Sequence, residues 1–383
     1  MHSGLYDKSI EIVLNNQSEW GSYIACPDFP TYHFSWLRDG SFIAHAMDCA
    51  GQFDSAEAFY RWLGRTIDKY GYKLENLRKI IASGKLPGKD EALHTRFTLD
   101  GQEDFQDETW GNFQMDGYGT WLWALYEHVR MAGNTQLLME LRPAVEITVE
   151  YLSLVWNLPN YDCWEEFPEF LHTYSLGAVY AGFHSAAEMQ AKGWLEPLCF
   201  DVEGEAKDVK DFILKHAIVD QRLAKMIQPE NIGTGIQPVG DIGVDASLLG
   251  VMIPYNVLDL DDPILIATMQ QIEQHLLHPD GGIYRYASDE YYGGGEWILL
   301  TAWLGWVYAR MGKLDKARTL QAWIESCADE KNQLPEQVND HPLLPERYQP
   351  WIERWGAVAK PLLWSHAMYI ILIHEINKGK TED

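Results

Sequence analysis

Two glutamates in this sequence invite a chemical reading. Glu165 stands in the run Tyr161-Asp162-Cys163-Trp164-Glu165-Glu166. It follows an aromatic and apolar patch, whose low polarity favours the neutral form of a carboxyl group. The adjacent Glu166 would oppose simultaneous ionisation if both side chains point the same way. Glu165 is therefore the candidate acid. Glu336, in Leu334-Pro335-Glu336-Gln337, is the candidate base, although residue types alone leave Glu296 and Asp245 open for that part. Cleaving a neutral glycosidic bond needs such a pair: one carboxylic acid protonates the leaving oxygen, and one carboxylate activates water or attacks carbon.

The aromatic residues point the same way. The 383 residues include 16 Trp, 20 Tyr and 13 Phe. Trp36, Trp110, Trp164, Trp297 and Trp364 stand beside charged or amide residues in expected loops, where an indole has little structural reason to be. A sugar offers C–H faces to stack on indole and hydroxyls for Arg, Asp and Gln to hydrogen-bond, so this pairing suits a carbohydrate pocket. For any single tryptophan, core packing is the competing explanation. Asp39, Asp116, Ser175 and Asp245 also fit as helix N-caps, and for Ser175 taken alone capping is the better explanation.

Other chemistries find less support. His33, His45, His94, His128, His172, His184 and His366 form no HExxH pattern or recognisable ligand spacing, so neither a metal nor a cofactor is expected. The five cysteines lack paired spacing, and Cys163 reads as a buried thiol rather than a nucleophile. Gly293-Gly294-Gly295 lacks the lysine of a P-loop. With 30 basic against 56 acidic residues the net charge is −26, which disfavours nucleic acid and anionic membranes as partners. No signal-like leader or membrane-spanning run occurs, and the expected setting is a reducing cytoplasm.

The elements that must position these residues are helical. Helix-period stretches are expected near 4–15, 39–49, 53–70, 117–131, 135–155, 175–192, 205–223, 245–257, 262–276, 297–309, 313–328 and 362–378. Residues 329–361 read as a long irregular segment, a length that in a compact domain implies a function. Alternate helices, such as 117–131 and 297–309, are apolar nearly all round and so should be buried. Six inner helices backed by six outer ones would close into an all-α toroid. The polar and aromatic clusters fall just before inner helices: Trp36 to Asp39, Gln114 to Asp116, Trp164 to Glu166 with His172 and Ser175, Asp241 with Asp245, Tyr291 to Trp297, and Trp364 to His366. Parallel inner helices would bring all six to one mouth.

These clusters resemble those of the glucoamylase-type glycoside hydrolases, family GH15, over nearly the whole chain. The segments that carry the resemblance are SWLRDG (35–40), WGNFQMDGYG (110–119), YDCWEE (161–166), IYRYASDEYYGGGEW (283–297), LPEQVN (334–339) and PLLWSHA (361–367). The resemblance implies an (α/α)6 barrel that removes glucose from the non-reducing end of α-glucosides with inversion. It implies Glu165 as general acid and Glu336 as general base, with carboxyls about 6.5–9.5 Å apart to admit a water. It further implies sugar-binding roles for Trp36, Arg38, Asp39, Arg285 and Glu166, and a pocket-shaping role for Trp110. Trp164, Glu296 and Trp297 complete the expected binding set, with the GGGEW loop and the 329–361 segment on the leaving-group side. A single barrel spanning 1–383, with no β-sandwich or starch-binding module, suits small α-glucosides, isomaltose or short isomaltooligosaccharides ahead of maltose-type sugars. Trehalase is the nearest alternative, and a non-catalytic sugar-binding protein the alternative from another class.

Overall fold

Helix α11 (Ile298–Arg310) buries every residue except its last, which fixes its place at the centre of the molecule. Five further helices are buried over most of their length: α2 (Leu37–Cys49), α5 (Asp116–Ala132), α7 (Thr173–Ala191), the short α9 (Leu249–Met252) and α14 (Leu363–Lys378). Their contacts close a ring in which α2 packs on α5, α5 on α7, α7 on α9, α9 on α11, α11 on α14 and α14 on α2. This computed structural model describes residues 4–88, 90–104, 110–229 and 243–379.

The outer layer is amphipathic. It comprises α1 (Gly4–Asn15), α3 (Phe53–Tyr70), α6 (Gln136–Val155), α8 (Val202–His216), α10 (Pro263–Leu276) and α12 (Leu314–Ser326). In α3, Ala56, Phe59, Tyr60, Leu63 and Ile67 recur at helical spacing and are buried against α2 and α6. Together these helices form the expected (α/α) barrel.

Some expected boundaries are corrected. The 205–223 stretch ends as helix at His216 and turns back as a hairpin of β4 (Ile218–Val219) and β5 (Arg222–Leu223). Asp220 and Gln221 take positive φ of 48° and 62° in the two-residue loop, as a tight right-twisting hairpin requires. The 245–257 stretch supplies only a 3-10 turn over Ala246–Leu248 and then α9. Residues 329–361 are not irregular throughout, because they contain α13 (Pro345–Trp355). Pro345 occupies the first helical turn, where its missing N–H costs nothing. A further outer helix, α4 (Lys73–Ala82), was not anticipated.

Two-residue strands stitch the loops above the ring. Three inner helices are each preceded by one: β1 (Ser35–Trp36) before α2, β3 (Leu171–His172) before α7 and β7 (Glu296–Trp297) before α11. Their antiparallel partners are β2 (Arg96–Phe97), β6 (Met226–Ile227) and β8 (Gln337–Val338). In all three ladders the first N–H of the inner helix finds a carbonyl at the same place, just before the partner strand: Leu37 to Thr95, Thr173 to Lys225 and Ile298 to Glu336. One orphan helix donor is thereby satisfied, and each loop is locked to its helix start.

Inner helices approach closely only where side chains are absent. A Cβ on Gly119 of α5 would lie 2.1 Å from the Ala178 carbonyl oxygen of α7. Gly119→Ala is expected to force α5 and α7 apart and destabilise the fold by about 1–3 kcal/mol, read as a lower Tm and denaturation midpoint.

Candidate active site

The starts of α2, α11 and α14 border a cavity of about 580 Å³. Its walls include Trp36, Arg38, Asp39, Trp110, Trp164, Glu165, Glu166, Arg285, Trp297 and Glu336, which are ten of the eleven residues expected to form the site. Leu299, Leu362 and Trp364, all buried, also line it, as do Trp351 and the more exposed Trp355 of α13.

Glu165 is held by a loop whose backbone is unusual. It has φ 68° and Phe167 has φ 52°, both left-handed conformations that non-glycine residues rarely adopt. Asp162 imposes the turn, since its Oδ1 accepts from the backbone N–H of Trp164 at 2.9 Å and of Glu166 at 2.8 Å. The Glu165 carboxylate then accepts three bonds. Trp36 Nε1 donates to Oε1 at 2.7 Å, Trp110 Nε1 to Oε2 at 2.5 Å and Gln114 Nε2 to Oε1 at 3.2 Å. The two tryptophans thus orient a carboxyl group directly. Arg96 backs them, with its guanidinium carbon 3.6 Å from the Trp110 ring centroid and 5.2 Å from that of Trp36.

Beneath this loop lies a buried charge cluster that residue types alone did not reveal. Lys225 Nζ sits 2.9 Å from Asp245 Oδ2 and 3.2 Å from Asp162 Oδ2. Asp245 also accepts from Trp164 Nε1 at 3.2 Å. Burial works against the ammonium charge, but Asp245 and Asp162 more than offset it and raise the Lys225 pKa. Asp245, left open above as a base, is therefore committed to Lys225 and Trp164. Asp241, placed in the same cluster by sequence, lies outside the described residues.

Glu336 occupies the residue before β8, with its backbone carbonyl capping α11 and its N–H bonded to Ala359 O at 2.9 Å. Tyr32 OH donates to its Oε1 at 3.0 Å and lies 2.9 Å from Tyr291 OH. Its Oε2 has no partner among the described residues. Burial pushes the Glu336 carboxyl up to about 7, against the opposing pull of Tyr32, Arg285 and Tyr291. Burial likewise raises Asp39 to about 6, with Arg38 opposing and Glu165 adding. It also raises Glu166, whose Oε2 accepts from Tyr286 OH at 2.6 Å. Tyr32 and Tyr286 were not anticipated as functional residues, because a tyrosine in a loop carries no distinguishing pattern, and Tyr291 was expected only as part of the cluster before α11.

The two arginines have opposite-charge partners. Arg38 Nη1 bonds Asp116 at 3.0 Å and Gln114 at 3.1 Å, while Arg285 forms a two-pronged pair with Asp289 at 2.7 and 2.5 Å. Arg285 lies 3.9 Å from Glu166 and within cation–π range of Trp164 and Trp297. Cys163 lines the cavity, but burial raises its thiol pKa well above the usual range, which suppresses nucleophilic thiolate. His366 is structural, bonded to Ser9 Oγ and the Leu334 N–H.

Glu296 is the one expected site residue that does not line the cavity. Successive residues of a strand face opposite sides, so with Trp297 of β7 turned into the cavity, Glu296 turns away toward His278 and His341.

Residues 2–374 match the family described as Glycosyl hydrolases family 15. The isomaltose glucohydrolase of Kribbella flavida is 35% identical over 369 residues, 95% of this chain and 90% of that protein. Trehalase 2 of Sulfolobus acidocaldarius is 23% identical over 80% of this chain and 52% of its own length. A wild-type glycosidase structure superposes with a TM-score of 0.87 at 35% identity, covering 97% of this chain and 96% of that one. A bacterial glucoamylase complexed with acarbose shares the fold at a TM-score of 0.74 and 21% identity, covering 98% of this chain and 56% of that one.

Removing Lys225 tests how the acid loop is positioned. Lys225→Met would leave Asp162 and Asp245 buried without their cation, with an expected cost of about 3–5 kcal/mol. At temperatures where the variant stays folded, kcat should fall more than KM rises, and Lys225→Arg should recover part of the loss.

Proposed function

The chain belongs to glycosyl hydrolases family 15, and from that premise we propose an exo-acting, inverting α-glucosidase that releases β-glucose from isomaltose and short isomaltooligosaccharides. The observation that carries this reading is a single cavity lined by two differently fixed carboxyls. Glu165 is gripped by two indoles and an amide, and Glu336 is held on one oxygen by a phenol.

In this mechanism Glu165 gives its proton to the glycosidic oxygen as the bond to the anomeric carbon breaks. Glu336 takes a proton from a water that attacks the same carbon from the opposite face. The acid ends ionised, the base ends protonated, and exchange with solvent resets both. The indole N–H groups on Glu165 stabilise the carboxylate that the step creates. The Oε2 of Glu336 has no hydrogen-bond partner among the described residues, so its lone pairs are uncommitted. Arg38, Asp39, Arg285 and Glu166 supply donors and acceptors for the terminal sugar's hydroxyls, and Trp36, Trp164 and Trp297 supply faces for its C–H groups.

A cavity bounded by the buried Leu299, Leu362 and Trp364 and by the more exposed Trp355 favours a chain end over an internal bond. The preference for isomaltose is supported by the likeness to the Kribbella flavida isomaltose glucohydrolase over nearly the full length of both proteins. A glycosidase variant with a glutamate replaced by alanine, 34% identical to this chain with a TM-score of 0.87, has been solved in complex with glucose.

A panel of α-linked disaccharides with anomer-resolved detection of glucose tests the proposal. Isomaltose should be cleaved fastest, with β-glucose appearing first. Trehalose cleaved fastest would replace the substrate assignment, and α-glucose appearing first would overturn inversion. Glu165→Gln should lower kcat by about 10²–10⁴-fold while glucose still binds; unchanged hydrolysis would remove Glu165 from the acid role.

The base must be ionised to act, and burial sets its carboxyl at about 7. For the free enzyme, kcat/KM should therefore rise with pH through about 7 and fall away below it. A limb in the ordinary glutamate range would show that Glu336 is not the controlling group.

A further inference from the structure

Behind β7, on the side away from the cavity, Glu296, His278 and His341 bring one ligand atom each to within 4.8 Å of one another. We propose that these residues form a binding site for a divalent transition-metal ion of the zinc type, with Asp280 as a further oxygen donor. Glu296 Oε1 lies 3.1 Å from His341 Nδ1 and 3.6 Å from His278 Nδ1. Donors around a tetrahedral zinc, each about 2.0–2.1 Å from the ion, are separated by roughly 3.3 Å. The spacing around Glu296 Oε1 is therefore already that of a coordination edge. Asp280 Oδ2 lies 3.8 Å from His278 Nδ1 and 3.8 Å from His341 Nε2, whereas Glu296 faces His341 Nδ1, so joining both carboxylates on one ion requires His341 to turn.

Glu296 is the second, independent sign of a cation here. Its residue is 1% exposed, and its Oε2 is buried with no partner among the described residues. A buried carboxylate with an uncompensated oxygen is costly, and a bound cation removes that cost. The surroundings also permit entry. The His341 and Asp280 side chains are 45% and 72% exposed, so the ion can arrive from solvent and His341 can turn. Turning is needed, because the two imidazoles stack with centroids 4.1 Å apart and planes at 15°, which confines their nitrogen lone pairs to two nearly parallel planes that do not meet at one ion. His278 Nδ1 accepts a 3.2 Å bond from the Asp280 N–H, which the metal would replace. Imidazole with carboxylate selects Zn²⁺, Co²⁺ or Ni²⁺ over Mg²⁺ and Ca²⁺, which prefer oxygen alone.

The site would clip three segments together. His278 belongs to the turn after α10, Glu296 to β7, and His341 to the loop after β8, which Tyr284 OH also holds through the His341 carbonyl at 2.8 Å. This proposal is independent of the substrate assignment, since its readouts do not involve hydrolysis.

The test uses tag-free full-length protein, stripped with chelator and titrated with Zn²⁺ by calorimetry and with Co²⁺ by visible absorption. One Zn²⁺ per chain should bind, Co²⁺ should give the intense bands of a low-symmetry tetrahedral site, and Zn²⁺ should raise Tm. His341→Ala and His278→Ala should each weaken Zn²⁺ binding by roughly tenfold or more and shrink the Zn²⁺-induced rise in Tm, read for each variant against its own metal-free form. Mg²⁺ should not compete. The proposal is overturned if Zn²⁺ at about 100 μM neither binds nor shifts Tm. Equal Zn²⁺ binding by the wild type and His341→Ala, or effective competition by Mg²⁺, would also overturn it, because either marks diffuse attraction to an acidic surface.

Discussion

A closed ring of helices that bury their flanks can present polar chemistry only at its ends, and this constraint governs the molecule. The inner helices have no free polar face to offer. Their N-terminal N–H groups must nevertheless find partners, and three of them do so through carbonyls at matching positions in three short ladders. Those positions are Thr95, Lys225 and Glu336. The second lies under the acid loop and the third carries the candidate base, so a single backbone device places the loops, the buried cation and the reacting carboxylate.

Packing many charges into one poorly solvated region creates an electrostatic problem, which pairing solves unevenly. Arg38 is matched by Asp116, Arg285 by Asp289 and Lys225 by Asp162 and Asp245. Among the described residues Glu336 has no ion-pair partner, and burial sets it at about 7. Unfolded, it would titrate near the ordinary 4.5. The folded chain therefore keeps the proton to a higher pH, and the stabilisation associated with that proton is lost as pH rises through about 7. An ionised Glu336 is maintained against the preference of the fold, which is the condition under which a carboxylate is a useful base.

The ring and ten of the residues that line the cavity were legible in the sequence, because apolar helices and aromatic–polar loops leave local patterns. Legibility ended where the deciding feature was not local. Glu296 shares a motif with Trp297, but strand alternation sends it to the opposite face. Lys225 is one ordinary lysine in a linear reading, and only the fold brings it between Asp162 and Asp245. His278 and His341 were not singled out, since their meeting depends on β7 pairing with β8. The prolines of 329–361 read as breakers, yet Pro345 starts α13 and Pro350 sits within it.

That last helix explains why linkage preference is the least legible property. α13 buries none of its residues. It joins the barrel through the Leu343 and Leu344 N–H groups, which donate to Gly294 and Gly293, and through Trp351 against Tyr291 and Tyr292. Gly293 and Gly294 have φ of 79° and 69°, which glycine adopts without strain, and a Cβ on Gly294 would lie 2.5 Å from the Asp289 carbonyl oxygen. Trp351 and Trp355 thus reach the cavity from an element that lies outside the ladders themselves and docks on the Tyr291–Gly294 loop beside them. An aromatic face stacks on any sugar ring with little regard to linkage, and what selects a linkage is the angle at which that face is held. Small changes in how α13 docks can therefore alter the leaving group that fits while leaving the carboxylates where the inner ring puts them.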